Sequence, residues 1–388
     1  MRTLLQAFPK KNVKLQKQTH ASFSSFTYTM KSLSKADIIA QYDPNGVGLA
    51  DQLFGLPFDT HNADLVIIPV PWEVTVSYSA GTAYAPSDIL AASTQVDLFD
   101  ADIPRAWQLG IAMQEVDEEW METSETLRQE AEEYILWLEE GSPQQDSAAY
   151  LQEIPEIINK EAHRLNEWVK DNALKVLKQG KMVALLGGDH STPLGLMQAL
   201  ATQYASFGIL QIDAHADLRE AYEGFEFSHA SIMYNALKIP QITKLVQVGI
   251  RDYCEEEAQF IHSQPERIHC FFDQALKEAQ YQGSTWHQLC EQIIAQLPEH
   301  VYISFDIDGL DPKLCPHTGT PVPGGFDFHQ IAYLLKLLVK SGKKIISFDL
   351  VEVCSPLEEE EWDANVGARL LYKLCNWMGV SQGKLKAL

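Results

Sequence analysis

Long apolar runs are missing from this chain. Nowhere do about 18 uncharged apolar residues follow one another, the length a helix needs to cross a bilayer, so no membrane span is expected. Paired cysteines are missing as well: Cys254, Cys270, Cys290, Cys315, Cys354 and Cys375 are spread through 388 residues without one CxxC pair. That argues against a disulfide framework and a zinc ribbon, and it fits a reducing cytoplasm. Basic residues are scarce, with 30 Lys and Arg against 53 Asp and Glu and a formal net charge of −23. A phosphate backbone calls for a basic surface, so neither nucleic acid nor a membrane is expected as partner. The acidity serves either solubility or the attraction of a cationic substrate.

What acids there are avoid the start of the chain. The first 36 residues carry seven Lys and Arg and no Asp or Glu, which leaves the remainder at about −30. The Ser- and Lys-rich stretch from Met1 to Lys35 reads as a flexible or partner-covering arm, as a start placed too early with Met30 the true one, or as a weak transit signal. Residues 1–62 are taken as an N-terminal extension and 63–388 as the main domain, with an acidic insertion near 115–160. With 46% apolar residues, a chain of this length supports one large α/β domain or two ordinary ones.

From Ala63 onward, short apolar runs alternate with amphipathic stretches, the pattern of a parallel sheet covered on both faces. Strands are expected over Asp64 to Val70, Met182 to Leu186, Phe207 to Ile212, Lys244 to Val248, Val301 to Ile307 and Lys344 to Val351. Helices are expected over Ser124 to Glu140 and over Glu161 to Gln179, the latter closed by Gly180 in a left-handed cap. The charges of the acidic stretch read as a solvated face.

Chemistry concentrates where strands end. In Gln211-Ile-Asp-Ala-His-Ala-Asp217, an extended backbone would turn Asp213, His215 and Asp217 to one side, with small alanines between. Asp306 and Asp308 lie two apart in Ser304-Phe-Asp-Ile-Asp-Gly-Leu-Asp-Pro312. Leu186-Gly-Gly-Asp-His-Ser191 presents His190 at a strand-to-helix turn. Alone, each has a bland reading: a polar turn, or a helix cap made by Asp189 or Ser191. Together they put four aspartates and two histidines at the carboxyl edge of a parallel sheet, where such sheets bind ligands. Acids packed this closely repel unless cations compensate. Two divalent ions would balance four aspartates, and water bound between them would ionise near neutral pH. Oxygen and imidazole donors suit Mn²⁺ or Ni²⁺, and also Co²⁺ or Fe²⁺.

These three clusters, in this order, resemble the ureohydrolase family of arginases and agmatinases over roughly Asp64 to Tyr372. The resemblance implies a three-layer α/β/α sandwich with a central parallel sheet. It also implies a trimer or hexamer of identical chains, and hydrolysis of a guanidino compound to urea by a metal-bridging hydroxide. By the same resemblance one metal falls to His190, Asp213, Asp217 and Asp306, the other to Asp213, His215, Asp306 and Asp308. His229 in Phe227-Ser-His-Ala230 falls on the family's proton-shuttling histidine, and Glu352 on the carboxylate that accepts the guanidinium. Without the family, His229 reads as an ordinary surface or core residue and Glu352 as a strand-end acid paired elsewhere.

The substrate is expected to be a small cationic guanidino compound. Asp217 to Gly224 and Thr318 to Gly325 resemble the agmatinase branch, and polar groups that would hold an amino acid's head are not evident. Trp72 and Thr82, in the loop Pro71 to Thr82, are candidate substrate-pocket residues, with core packing the alternative for Trp72. The bulk of Trp72 and Val74 resembles a branch that hydrolyses free guanidine with nickel, so agmatine-like amines and free guanidine both stay open. Arg219 would either clamp a carboxylate, as in guanidinobutyrate or formiminoglutamate, or pair with Glu220 or Glu223. Cys315 and Cys354 read as buried, inert thiols. A catalytically silent metal-binding regulator is the remaining alternative.

Overall fold

The computed structural model of the chain describes residues 33–76, 79–143, 148–355 and 361–388. The arm expected over Met1 to Lys35 lies outside the described residues except for its last three. Eight strands form one all-parallel sheet: β1 (Leu65–Val70), β2 (Ile111–Met113), β3 (Met182–Gly187), β4 (Phe207–Ile212), β5 (Ile242–Val248), β6 (Ile268–Phe271), β7 (His300–Asp306) and β8 (Lys344–Val351), in the order β2-β1-β3-β8-β7-β4-β5-β6. The six expected runs are all strands, with ends shifted by one or two residues. The two unanticipated ones, β2 and β6, are the sheet's edges, three and four residues long. Runs that short carry too little pattern to be read from sequence.

Successive side chains of the buried strands point to opposite faces of the sheet. Leu65 and Ile67 of β1 join the apolar layer on one face, and Val66, Ile68 and Val70 join the layer on the other. Helices Ala85–Ser93, Phe328–Lys340 and Trp362–Ser381 cover the first face, and Glu118–Glu139, Ile154–Lys178 and Leu194–Ala201 the second. The result is the expected three-layer α/β/α sandwich around a central parallel sheet. Among the described residues no helix is long and apolar enough to cross a membrane.

Both expected helices begin earlier than their patterns suggested. Ile154–Lys178 buries Ile154, Ile158, Ala162, Leu165, Val169, Ala173 and Val176, a spacing of three or four that keeps one face on the sheet. Pro155 reads as a breaker in sequence, yet it sits in the first turn, where its missing N–H costs nothing. Gly180 closes this helix with φ +72°, as expected. Glu118–Glu139 is capped by Asp117, whose carboxylate accepts from the amides of Glu119 and Trp120. Its acidic residues face outward while Trp120, Leu127, Ala131, Tyr134 and Trp137 are buried. Residues 33–62 are tied to the first apolar layer through Ile38, Leu53, Phe54, Leu56 and Phe58.

Candidate metal centre

Four adjacent central strands, β3, β8, β7 and β4, end at one place. The turn after β3 brings His190, the segment after β4 brings Asp213, His215 and Asp217, the end of β7 brings Asp306 and Asp308, and the end of β8 brings Glu352. The crossover from β3 to β4 passes over β8 and β7, so this is also where an open parallel sheet leaves a crevice.

His190 Nδ1 lies 3.0 Å from Asp213 Oδ2, 2.9 Å from Asp217 Oδ2 and 3.3 Å from Asp306 Oδ2. His215 Nδ1 lies 3.0 Å from Asp308 Oδ2 and 3.8 Å from Asp213 Oδ1. Two donor groups result, His190–Asp213–Asp217 and Asp213–His215–Asp308, and Asp213 belongs to both. His190 Nδ1 and Asp308 Oδ2 are buried without a hydrogen-bond partner. Orphaned donor atoms of this kind, set among carboxylates, fit divalent cations. The expected ligand residues therefore converge, although the backbone does not follow the expected zigzag. β4 stops at Ile212, and Asp217 is reached in a left-handed conformation, φ +54°. Its strained backbone is held by the amides of Met233 and Tyr234, which both donate to the Asp217 carbonyl. Asp306 is the last residue of β7, and Asp308 follows within a 3-10 turn whose amide donates to Asp306 Oδ1. A turn thus replaces strand alternation in bringing these two acids together. The alternative reading of this cluster, a helix cap after β3, does not hold: Asp189 accepts from the Ser191 amide and hydroxyl, and the next helix starts at Leu194 without a side-chain cap.

Two glycines allow the approach. A Cβ at Gly188 would stand 2.0 Å from the Trp72 carbonyl oxygen, and one at Gly309 would stand 2.8 Å from the Asp213 amide nitrogen. Gly309→Ala is expected to cost about 1–3 kcal/mol by overpacking. It should also loosen the cage, because the atom displaced belongs to the shared aspartate; thermal denaturation and metal retention check both.

Burial disfavours charge throughout the site, and the neighbours decide which groups keep it. Burial and then Asp308 raise the Asp213 carboxyl; burial and then Asp308 and Asp213 raise Asp306; burial and then Asp213 lift Asp217 to about 7. Burial acts against the imidazolium of both cage histidines, yet the surrounding carboxylates prevail, raising His190 well up and His215 to about 10. Asp308 moves the other way: burial is outweighed by His215 and by the Ala214 amide, which holds it low. Glu352 is pushed well up by burial and by the nearby Asp189 carboxyl.

Glu352 also has a left-handed backbone, φ +61°. Its amide donates to the Gly188 carbonyl, its Oε1 accepts from the His190 amide at 2.8 Å, and its carbonyl accepts from the Thr318 hydroxyl. Oε2 faces Gly319, where an added Cβ would be 3.2 Å away and Val76 only 3.7 Å from the same point. His229 opens a 3-10 turn after Ser228. Its Nδ1 lies 3.4 Å from the Thr75 hydroxyl and 3.3 Å from that of Ser228, and its ring stands edge-on to Tyr222. Burial, then the cationic His215 and His190, lower it to about 3, so the ring is neutral at pH 7.

Of the two candidate pocket residues, Trp72 places its ring in the core against Trp120, 6.0 Å between centroids, while its carbonyl accepts from the Asp189 amide at the His190 turn. Thr82 is buried and donates to Glu73, which also accepts from the Gly81 amide. Ser77 and Tyr78 of that loop lie outside the described residues. Arg219 sets its guanidinium 4.9 Å over the Tyr222 ring, where its charge opposes the rise that burial and Glu139 impose on Glu223. All six cysteines are free thiols. Cys315 donates to the Ile307 carbonyl, and burial raises Cys354 to about 12, so neither is primed as a nucleophile.

Sequence reasoning missed the polar groups behind the cage. Gln247 donates to Gln211 Oε1 and to the Ala216 carbonyl, and Gln211 donates to Asp213 Oδ2 at 2.8 Å. The only available signal was an amide inside the buried apolar run of each of two strands.

The arginase family model matches residues 63–376. The chain is 30% identical over 326 residues to the N(1)-aminopropylagmatine ureohydrolase of Thermus thermophilus, covering 83% of this chain and 93% of that one. It is 31% identical over 216 residues to the guanidinobutyrase of Pseudomonas aeruginosa, covering 53% and 64%. In structure it matches the agmatine ureohydrolase of Thermoplasma volcanium with a TM-score of 0.63 at 21% identity, covering 90% and 99%.

Proposed function

This chain belongs to the arginase family and is thus a hydrolase of amidine C–N bonds, and from that premise we propose that it releases urea from a small cationic guanidino compound, an agmatine-like amine or free guanidine. The observation that carries the reading is the sharing of Asp213 between two histidine-containing donor groups, with the Glu352 carboxylate hydrogen-bonded to the amide of one of those histidines. Asp306 Oδ2, 3.3 Å from His190 Nδ1, completes the set of six ligands. These six would hold divalent cations, Mn²⁺ or Ni²⁺, which when bound would lower the pKa of water toward neutrality and so provide a nucleophile.

The remaining steps fall to side chains. Glu352 presents Oε2 to the guanidinium, a planar cation suited to a carboxylate acceptor. The left-handed backbone at Glu352 is the kind of strain that persists where a side chain must be aimed. His229, neutral at pH 7, can take a proton on one ring nitrogen and return it to the departing amine. Thr75 and Val76 are buried beside these two groups and exclude water. Arg219, stacked on the Tyr222 ring that touches His229, favours a guanidino acid instead, as does the likeness to a guanidinobutyrase. The reading includes a homotrimer or homohexamer in the cytoplasm.

Steady-state assays on guanidine, agmatine, guanidinobutyrate and arginine, each with Mn²⁺ and with Ni²⁺, test this. Urea is expected from guanidine or agmatine. Formamide from formiminoglutamate would replace the substrate class, and no turnover on any compound with both metals loaded would leave a silent regulator. His229→Ala is expected to lower kcat about 10²- to 10⁴-fold with little change in KM, the pattern of a lost proton carrier.

A further inference from the structure

Three buried polar side chains take no part in the reactions above. Tyr302 and Ser304 on β7 and Asp349 on β8 are fully buried, and Asp349 is the cross-strand partner of Ser304. Asp349 draws donors from every side: the Tyr302 hydroxyl at 2.5 Å, the Ser304 hydroxyl at 2.9 and 3.1 Å to its two oxygens, and the Phe305 amide at 3.2 Å. The Ser304 oxygen in turn lies 2.9 Å from His190 Nε2.

Counting hydrogens orders this chain. An ionised carboxylate only accepts, and a serine hydroxyl has one hydrogen to give. With that hydrogen committed to Asp349, Ser304 meets His190 as an acceptor, so Nε2 must be the nitrogen that carries the proton. Nδ1, the nitrogen left without a hydrogen-bond partner, is then the one that gives its lone pair to a cation among Asp213, Asp217 and Asp306, the cation taking the place of the second proton those carboxylates otherwise favour. The second cage histidine is not held this way: His215 Nε2 faces Asp252 at 4.0 Å, and that carboxylate is 67% exposed.

We propose that Asp349 is a positioning residue that acts through Ser304 to hold His190 as its Nε2–H tautomer, and so sets how tightly the His190–Asp213–Asp217 group binds its cation. The Asp213–His215–Asp308 group is independent of it. The inference rests on the cage being a two-metal site. A merely structural role, tying β7 to β8, would change stability without distinguishing the two cations.

The test uses the full chain loaded with Mn²⁺ alone. Manganese content is followed by elemental analysis against graded chelator, for wild type, Ser304→Ala, Asp349→Asn, Tyr302→Phe and the conservative Ser304→Thr. Wild type is expected to hold about two ions. Ser304→Ala and Asp349→Asn should weaken one of them about 10- to 100-fold and leave the other unchanged. Ser304→Thr should stay near wild type, and Tyr302→Phe should have a smaller effect because Ser304 still donates. Folded variants that keep both ions, or lose both equally, would overturn the proposal. Wild type holding no manganese would instead overturn the two-metal reading on which it rests. If the variants do not fold, ¹⁵N-histidine spectra of the Zn²⁺-loaded wild type decide: coordination through Nδ1 with a proton on Nε2 is expected, and a proton on Nδ1 overturns the proposal.

Discussion

Asp213→Asn is expected to lower kcat by at least about a thousandfold, on the order of 4 kcal/mol of barrier, and to reduce bound metal from about two ions to less than one. Asp213 is the only residue common to both donor groups, with Oδ2 3.0 Å from His190 and Oδ1 on the side of His215. An amide keeps the shape but offers one oxygen and no charge, so one half of the cage loses a ligand atom and both lose the negative charge they share. The loss should therefore exceed that of Asp217→Asn, which touches only the His190 half. Elemental analysis alongside steady-state kinetics separates the outcomes. Equal damage from the two variants would show that Asp213 does not bridge.

Glu352→Gln is expected to leave metal content near wild type and to reduce kcat/KM for a guanidino cation about 30- to 3,000-fold, the 2–5 kcal/mol typical of a buried charged hydrogen bond losing one partner. Oε1 is already occupied by the His190 amide, a donor that an amide oxygen still satisfies, so the His190 turn should survive the change. Oε2 is the atom lost to the substrate. Glu352→Gly makes the complementary case. It should lower kcat/KM at least as far, yet it relieves a left-handed backbone worth about 1–3 kcal/mol, so its melting temperature should rise rather than fall. Undiminished kcat/KM for Glu352→Gln would remove this residue from substrate binding. A lower melting temperature for Glu352→Gly would show that the carboxylate's contacts outweigh the strain.

The three clusters were legible because each is local: a few polar residues directly after an apolar run, where a parallel sheet exposes its carboxyl edge. Their shapes were not. The alternation of Asp213, His215 and Asp217 suggested one extended segment, but the left-handed turn at Asp217 depends on amides of Met233 and Tyr234, sixteen and more residues onward. The loop at Trp72 was noticed for the bulk of its ring, while its carbonyl is what meets the His190 turn; a backbone atom leaves no signature in composition. The amphipathic pattern starts the long helix at Ser124, although Asp117 caps it and Trp120 anchors it.

Residue chemistry and chain order by themselves determined a parallel α/β sheet, a set of acids and imidazoles at its strand ends, and the family to which they belong. Only the tertiary structure decided which donors meet. The register of β7 on β8 sets Ser304 opposite Asp349, and β4 beside β7 lets Gly309 pass within reach of Asp213. Strand pairing joins residues tens to hundreds of positions apart, and with a side-chain period of two, a slip of one residue would turn each of these groups to the wrong face.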